Sequence, residues 1–247
     1  EAEFANIKSY LYGANFQRII TKNDFESKDW NSKWGAHDHV VFNKLLNELS
    51  SKPQPFFSTM LTLSSHEPFE IPRESKISGD DETSKFFDSM NYADESLGEF
   101  IESAKKQPWW QNTIVIIVAD HGHRLPETNQ KTDDFRIPML WLGGALNKTG
   151  VEIGNYTSQI DIASTLLHQL GINSYAYNWS KNIFDQKTKQ WAFYCFNNGF
   201  GFTQPQKDLI FDNVGKKIIQ QNGIITPKDI EYGKSLMQRM YQDYLDK

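Results

Sequence analysis

The sequence predicts an α/β fold: a mostly parallel sheet flanked by helices, followed by a small antiparallel β appendage and a closing helix. Three observations lead there. Residues 113–119 (TIVIIVA) are almost wholly apolar without alternation, which suits a strand covered on both faces. Phe86, Met90, Ala93, Leu97, Phe100, Ile101 and Ala104 recur at three- and four-residue spacing, the period of an amphipathic helix. After about Lys181, short aromatic runs alternate with Asn- and Gly-rich turns, the pattern of hairpins.

In chain order, Pro55 to Ser65 (PFFSTMLTLSS) predicts a strand, bounded by Pro53 before it and His66-Glu67-Pro68 after it. A polar, proline-containing loop runs on to about Asp81. The helix that follows keeps Asp94, Glu95, Glu99 and Glu102 outside and is ended by Gln107-Pro108. The strand at 113–119 feeds directly into Asp120-His121-Gly122, so these side chains emerge at its C-terminal end. Ile137 to Leu142 predicts another strand. Ser158 to Leu170 predicts a helix with Ile160, Ala163, Leu166, Leu167 and Leu170 on one face and Gly171 where a C-cap belongs. The runs Trp191–Phe196, Asp208–Phe211 and Lys217–Gln220 form the appendage around turns such as Asn197-Asn198-Gly199. A helix from about Pro227 to Tyr244 closes it. The expected division is 1–181 for the α/β part and 182–247 for the appendage.

Composition narrows the function classes. A chain of 247 residues can bury a sizeable core, and an aromatic share of 14% gives bulky side chains much of the packing. The net charge is -5 and no block of Lys or Arg stands out, so a nucleic-acid partner is not expected. The longest apolar run is far below the roughly 20 residues that span a bilayer. The single cysteine, Cys195, cannot form an internal disulfide; its neighbours Phe193, Tyr194 and Phe196 predict a thiol packed in the core.

Asp120-His121-Gly122-His123 is the sharpest chemical feature. Ligands of open α/β sheets bind at the strands' C-terminal ends. There a carboxylate and an imidazole can share one divalent metal, while Gly122 lets the chain turn tightly. An Asp-turn with surface histidines fits the same spacing. His66 follows the predicted strand and could bind a phosphate or sulfate oxygen or protonate a leaving group; a loop histidine with no task is the alternative. In Trp34-Gly35-Ala36-His37-Asp38-His39 the two histidines could suggest a metal. The better reading is a helix start, with Asp38 capping the helix or complementing its dipole ahead of Val40, Val41, Leu45, Leu46 and Leu49. Arg124 and Arg136 are candidate oxyanion partners, and equally candidates for surface ion pairs.

Together these segments resemble the lipoteichoic-acid synthase-like (phosphoglycerol transferase) branch of the alkaline phosphatase/sulfatase superfamily. The resemblance runs over nearly the whole chain, in order. It takes in Glu3-Phe4-Ala5-Asn6-Ile7, Lys33-Trp34-Gly35-Ala36-His37-Asp38, Pro55-Phe56-Phe57 through Leu63-Ser64-Ser65-His66-Glu67-Pro68-Phe69, and Tyr92-Ala93-Asp94 through Leu97. It continues with Ala119-Asp120-His121-Gly122-His123-Arg124, Arg136-Ile137-Pro138-Met139, Gln159-Ile160-Asp161-Ile162 through Leu166-Leu167, and Asn197-Asn198-Gly199-Phe200-Gly201. No single motif is decisive; their order and combination are specific.

The resemblance implies an alkaline-phosphatase-like sheet and an extracytoplasmic enzyme whose parent protein is anchored by N-terminal membrane helices. It implies a Thr nucleophile, activated by a divalent metal, that attacks a phosphodiester and passes through a phospho-enzyme resolved by an alcohol or water. Carried over by motif, Asp120 and His121 are metal ligands, His66 is the catalytic and phosphate-binding histidine, and His123 and Arg124 contact substrate. Manganese is the implied metal, with calcium, zinc and magnesium as alternatives. The partner is a phosphate- or sulfate-ester substrate, possibly lipid-linked. The family's Glu ligand and Thr nucleophile lie upstream of the Phe4-Ala5-Asn6 segment, so the chain is expected to be the C-terminal part of the catalytic domain, partnered by the N-terminal part. Glycerophosphate-handling members carry Trp and Arg where Ala5 and Ile7 stand here. Two other functions fit the same residues: a sulfatase with a modified Cys or Ser nucleophile, or a non-catalytic binding module that keeps the fold.

Overall fold

The computed structural model describes residues 6–246, and the chain forms two compact units of a mixed α/β fold. Unit one comprises residues up to Val115 together with Trp141–Asn147; unit two comprises Ile116–Leu140 and the residues from Lys148 onward. Neither contains, among the described residues, a helix long and apolar enough to cross a membrane.

Unit one is built on helices α1 (Ile7–Gly13), α2 (Asp38–Ser51) and α3 (Glu82–Ala104). The start of α3 is fixed by Asp81, whose carboxylate accepts the Ser84 N–H at 3.0 Å. The predicted periodicity is realised: Phe86, Phe100, Ile101 and Ala104 are buried. Phe100 stacks on Phe42 of α2 with ring centroids 5.0 Å apart, and Leu49, Trp109 and Trp110 complete the core. Each such large side chain contributes about 2 kcal/mol by leaving water. The loop before α3 is tied back to it by ion pairs from Arg73 to Asp88 and from Lys76 to Glu95.

The strand predicted at Pro55–Ser65 does not form. Phe56 and Met60 pack on the core, but Phe57 and Leu61 are 78% and 62% exposed. The amides of Leu63 and Ser64 bond a carboxylate, Asp38 Oδ1, instead of a neighbouring strand. β-Propensity describes how side chains fit a pleated surface and supplies no ladder partner by itself.

Strands β1 (Val115–Val118) and β2 (Met139–Leu142) pair as a two-stranded sheet. The bonds flanking them, Ala119 N to Pro138 O and Ala145 N to Thr113 O, run in the antiparallel sense. Among the described residues this strand has an antiparallel neighbour where a parallel one was expected, and the connection between the two holds only the 3-10 turn Asp133–Phe135 and no crossover helix.

Unit two carries α4 (Asp161–Gln169), a four-stranded antiparallel sheet and α5 (Pro227–Leu245). The sheet is ordered β3 (Ala192–Phe196), β4 (Gly199–Gln204), β5 (Lys207–Asp212), β6 (Lys217–Asn222). Gly171, at φ +70, ends α4 as predicted. Thr226 and Asp229 form a capping box at the start of α5, with Pro227 in its first turn. β4 is a strand that sequence reading missed, because GFGF reads as a turn. Its glycines face aromatic partners across the ladder: a Cβ at Gly201 would lie 1.9 Å from the Tyr194 ring. Its phenylalanines build the core, with Phe193, Phe200 and Phe211 stacked at 5.6 and 5.5 Å. Cys195, near the end of the edge strand β3, is exposed rather than packed inside.

Candidate functional site

The predicted site residues fall on two short turns, one in each unit. In unit two, the β-branched strand β1 ends at Val118 and the next two carbonyls are clamped. Gln159 Nε2 donates to Ala119 O at 2.6 Å and to Asp120 O at 2.8 Å. Asp120 Oδ1 accepts the His121 N–H at 3.0 Å, which turns Oδ2 toward the imidazole. His121 Nδ1 lies 2.7 Å from Gly122 O; a carbonyl only accepts, so the proton sits on Nδ1 and the Nε2 lone pair faces outward. Asp120 Oδ2 and His121 Nε2 are 3.7 Å apart, on side chains 76% and 69% exposed.

His123 has the opposite tautomer in its neutral form. Its Nδ1 accepts the Leu125 N–H at 3.1 Å, so Nε2 carries the proton. The two histidines, two residues apart, thus differ in tautomer: a lone pair on Nε2 of His121 and a proton on Nε2 of His123. Leu125 is buried and anchors the segment; Arg124 and Arg136 are exposed. Gly122 is required for a different reason from the tight turn expected. The backbone of Asp134 crosses so close that a Cβ at Gly122 would sit 1.9 Å from Asp134 O. The next residue, Phe135, stacks on Tyr194 of β3 at 4.2 Å.

In unit one, His66 heads a turn in which its N–H donates to Leu63 O and its C=O accepts from Phe69 N. The side chain is exposed. Its Nδ1 lies 2.9 Å from Glu67 O, so this histidine also carries its proton on Nδ1.

The segment expected to start a helix does so, with His37 at the N-cap position and Asp38 in the first turn of α2. Asp38 does not cap its own helix. Fully buried, its carboxylate holds the amides of Leu63 and Ser64 at 2.8 and 3.2 Å. His37 and His39 are not arranged as metal ligands: His37 Nδ1 lies 3.4 Å from Ser64 Oγ and His39 Nδ1 lies 2.5 Å from the Tyr92 hydroxyl. Burial pushes the His37 imidazole below its ordinary value, against a hydrogen bond to the Asn31 backbone that raises it. Burial likewise raises the Tyr92 phenol.

Donor atoms about 2.0–2.2 Å from one metal ion lie roughly 3–4 Å from each other. The Asp120 Oδ2–His121 Nε2 pair meets that spacing, and its carboxylate-plus-imidazole chemistry suits a divalent cation. Among the described residues, no group of three or more His, Cys, Asp or Glu is placed to hold a metal; the pair by itself offers two donor atoms. Sequence reasoning missed Gln159 as the clamp on Asp120, and missed the link from the Trp34–Asp38 segment to the His66 turn. Both segments stood out separately, and no local signal joins residues about 25 positions apart.

A family model described as Sulfatase matches residues 2–172, well over half of the chain. "Lipoteichoic acid synthase-like YvgJ" of Bacillus subtilis is 26% identical over 179 residues, covering 64% of this chain and 29% of that protein. "Lipoteichoic acid synthase" of Staphylococcus saprophyticus is 26% identical over 238 residues, covering 87% of this chain and 36% of that protein. The chain thus spans about a third of the length of these relatives. Among solved structures, a protein of the alkaline phosphatase superfamily from Vibrio parahaemolyticus superposes with a TM-score of 0.83 at 24% identity, over 99% of this chain and 64% of that one. The lipoteichoic acid synthase LtaP from Listeria monocytogenes superposes with a TM-score of 0.72 at 21% identity, over 96% and 68%.

Proposed function

Because this chain belongs to the sulfatase family, we propose that it carries part of a metal-dependent site that transfers or hydrolyses phosphate esters, in the manner of a phosphoglycerol transferase. The observation that carries this reading is the convergence of Asp120 Oδ2 and His121 Nε2 beyond the end of β1, with the imidazole proton held on the far nitrogen by Gly122 O. Those two atoms would be this chain's donors to the cation. Manganese suits an oxygen-rich set with one imidazole, and calcium, zinc and magnesium are the alternatives. When bound, the cation would offset negative charge on the ester and on an attacking oxygen.

The remaining roles fall to this chain's own groups. By the resemblance, His123 and Arg124 contact the substrate, and a guanidinium fork matches phosphate geometry. His66 presents Nε2 to accept or return a proton, or, when protonated, to bind a phosphate oxygen. By the resemblance, the Thr nucleophile and the Glu ligand belong to a further part of the same catalytic domain, in keeping with this chain's spanning about a third of its relatives' length. By the resemblance, that domain would work on the extracytoplasmic side, on a phosphate-ester donor; Ala5 and Ile7, where glycerophosphate-handling members carry Trp and Arg, argue against fixing it as a glycerophosphate. Hydrolysis of sulfate esters is the second reading, favoured by the description of the matching family model.

Calorimetric titration with manganese tests the metal pair. Two donors hold a cation weakly, so weak binding that disappears in Asp120→Ala is expected. Binding indifferent to Asp120 would sink the assignment. With the upstream segment joined to the chain, turnover of a nitrophenyl phosphodiester is expected to drop at least about 100-fold in His66→Ala or Asp120→Ala. Turnover of nitrophenyl sulfate alone would move the function to the second reading.

A further inference from the structure

We propose that Trp34 and Asp38 are positioning residues for His66, which together fix its neutral imidazole as the Nδ1–H tautomer and leave Nε2 as the nitrogen that takes up the second proton and, as an imidazolium N–H, donates to an anionic ligand. The inference rests on the reading of His66 as a phosphate-facing group and adds what holds it in place.

Glu67 O is the hub. It accepts His66 Nδ1–H at 2.9 Å and the Trp34 indole N–H at 2.7 Å, which uses both lone pairs of one carbonyl. The Trp34 ring meets the imidazole edge-on, with centroids 4.8 Å apart and planes at 64°. Rotation of the imidazole would break its bond to Glu67 O and run into the indole. A carbonyl that orients a histidine through its second nitrogen is the device that fixes tautomers at metal sites, and here it acts at a ligand-facing histidine.

Asp38 sets the hub's own position. Its carboxylate, fully buried, bonds Leu63 N and Ser64 N, and its backbone N–H donates to Ser64 Oγ at 3.1 Å. Ser64 is buried too, two residues before His66. Lys33 N donates to Glu70 Oε2 at 2.7 Å on the other side of the turn. An isolated buried carboxylate is costly; here Oδ1 is offset by two amides that a loop would otherwise leave unpaired, while Oδ2 is buried with no hydrogen-bond partner among the described residues. Trp34 therefore touches the imidazole, and Asp38 acts on it through the turn.

The test is long-range 1H–15N spectroscopy of the full chain with 15N-labelled histidine, the His66 signals being assigned by their loss in His66→Gln. The wild type is expected to show the Nδ1–H tautomer. Trp34→Phe keeps an aromatic edge but removes the N–H, and should move a measurable fraction to Nε2–H. Asp38→Ala should do the same, whereas Asp38→Asn, whose amide oxygen can still accept both amides, should restore the wild-type pattern. Backbone amide spectra of α2 and α3 check that each variant is folded. An Nε2–H tautomer in the wild type, or an unchanged tautomer in folded Trp34→Phe and Asp38→Ala, would overturn the proposal. Titration with inorganic phosphate separates the two layers. Wild-type His66 should respond, and its apparent affinity should fall about tenfold in Trp34→Phe, the scale of lost outer contacts. Tautomer control without any phosphate response would overturn the anion-facing role. A phosphate response with tautomers unmoved in the variants would overturn Trp34 and Asp38 as positioners.

Discussion

The His66 turn and the Asp120–Arg124 turn solve the same problem with different materials. In each, a histidine gives its Nδ1 proton to the carbonyl of the following residue, Glu67 or Gly122, and presents Nε2 outward. The His66 turn is held from behind by a buried carboxylate, a buried serine and an indole. The Asp120 turn is held differently. It is held by the amide of Gln159 on two carbonyls and by a glycine against which the Asp134 backbone packs. One turn depends on long-range polar contacts and the other on closeness of main chains. Their weak points should differ accordingly.

The largest expected effect is at Gly122. Gly122→Ala puts a methyl group 1.9 Å from a backbone oxygen that no side-chain rotation can relieve. Thermal unfolding should show a loss of about 3 kcal/mol, at the upper end of overpacking costs. Wild-type stability in this variant would mean that main-chain closeness is not what holds the turn.

That contact also marks how much the sequence discloses. The run at 113–119 and the turn after it were legible, because a β-branched strand ending in Asp-His-Gly is a local signal. The period of α3 was legible for the same reason. The strand expected at Pro55–Ser65 was misread because pairing is a property of neighbours and not of the run itself. β4 was hidden because its two glycines make sense only beside Tyr194 and Phe196. Asp38 looked like a helix-start residue because the amides it serves lie about 25 residues away. What sequence reasoning missed at the site is long-range in each case.

An intermediate effect should come from pH on the His66 side. The buried His37 imidazole is held below its ordinary value, while in the unfolded chain it returns to about 6.5. Between those two values the unfolded state binds more protons than the folded one, so stability rises with pH there. This contribution is therefore complete above about pH 6.5 and declines as pH falls toward the folded value. Denaturant melts from pH 7.5 down to 5 should show that decline, and His37→Gln should flatten it. A slope unchanged in His37→Gln would assign the pH response to other groups.

The smallest effect is expected at Asp120. With 76% of its side chain exposed and its main chain held by Gln159, Asp120→Ala should change stability by less than about 0.5 kcal/mol, typical of surface substitutions. Metal binding and stability would then come apart at this turn. A large loss of stability would show that the carboxylate holds the turn as Asp38 holds its counterpart.

Asp38 also has a consequence for motion. The amides of Leu63 and Ser64 belong to no helix or ladder, and loop amides of that kind usually exchange with solvent quickly. Here neither can open without exposing a carboxylate rooted in the first turn of α2. These two amides should keep the time of the helix rather than that of the loop. The His66 turn is then part of the same cooperative unit as α2: it stays closed as long as the helix does, and its opening is the helix's own.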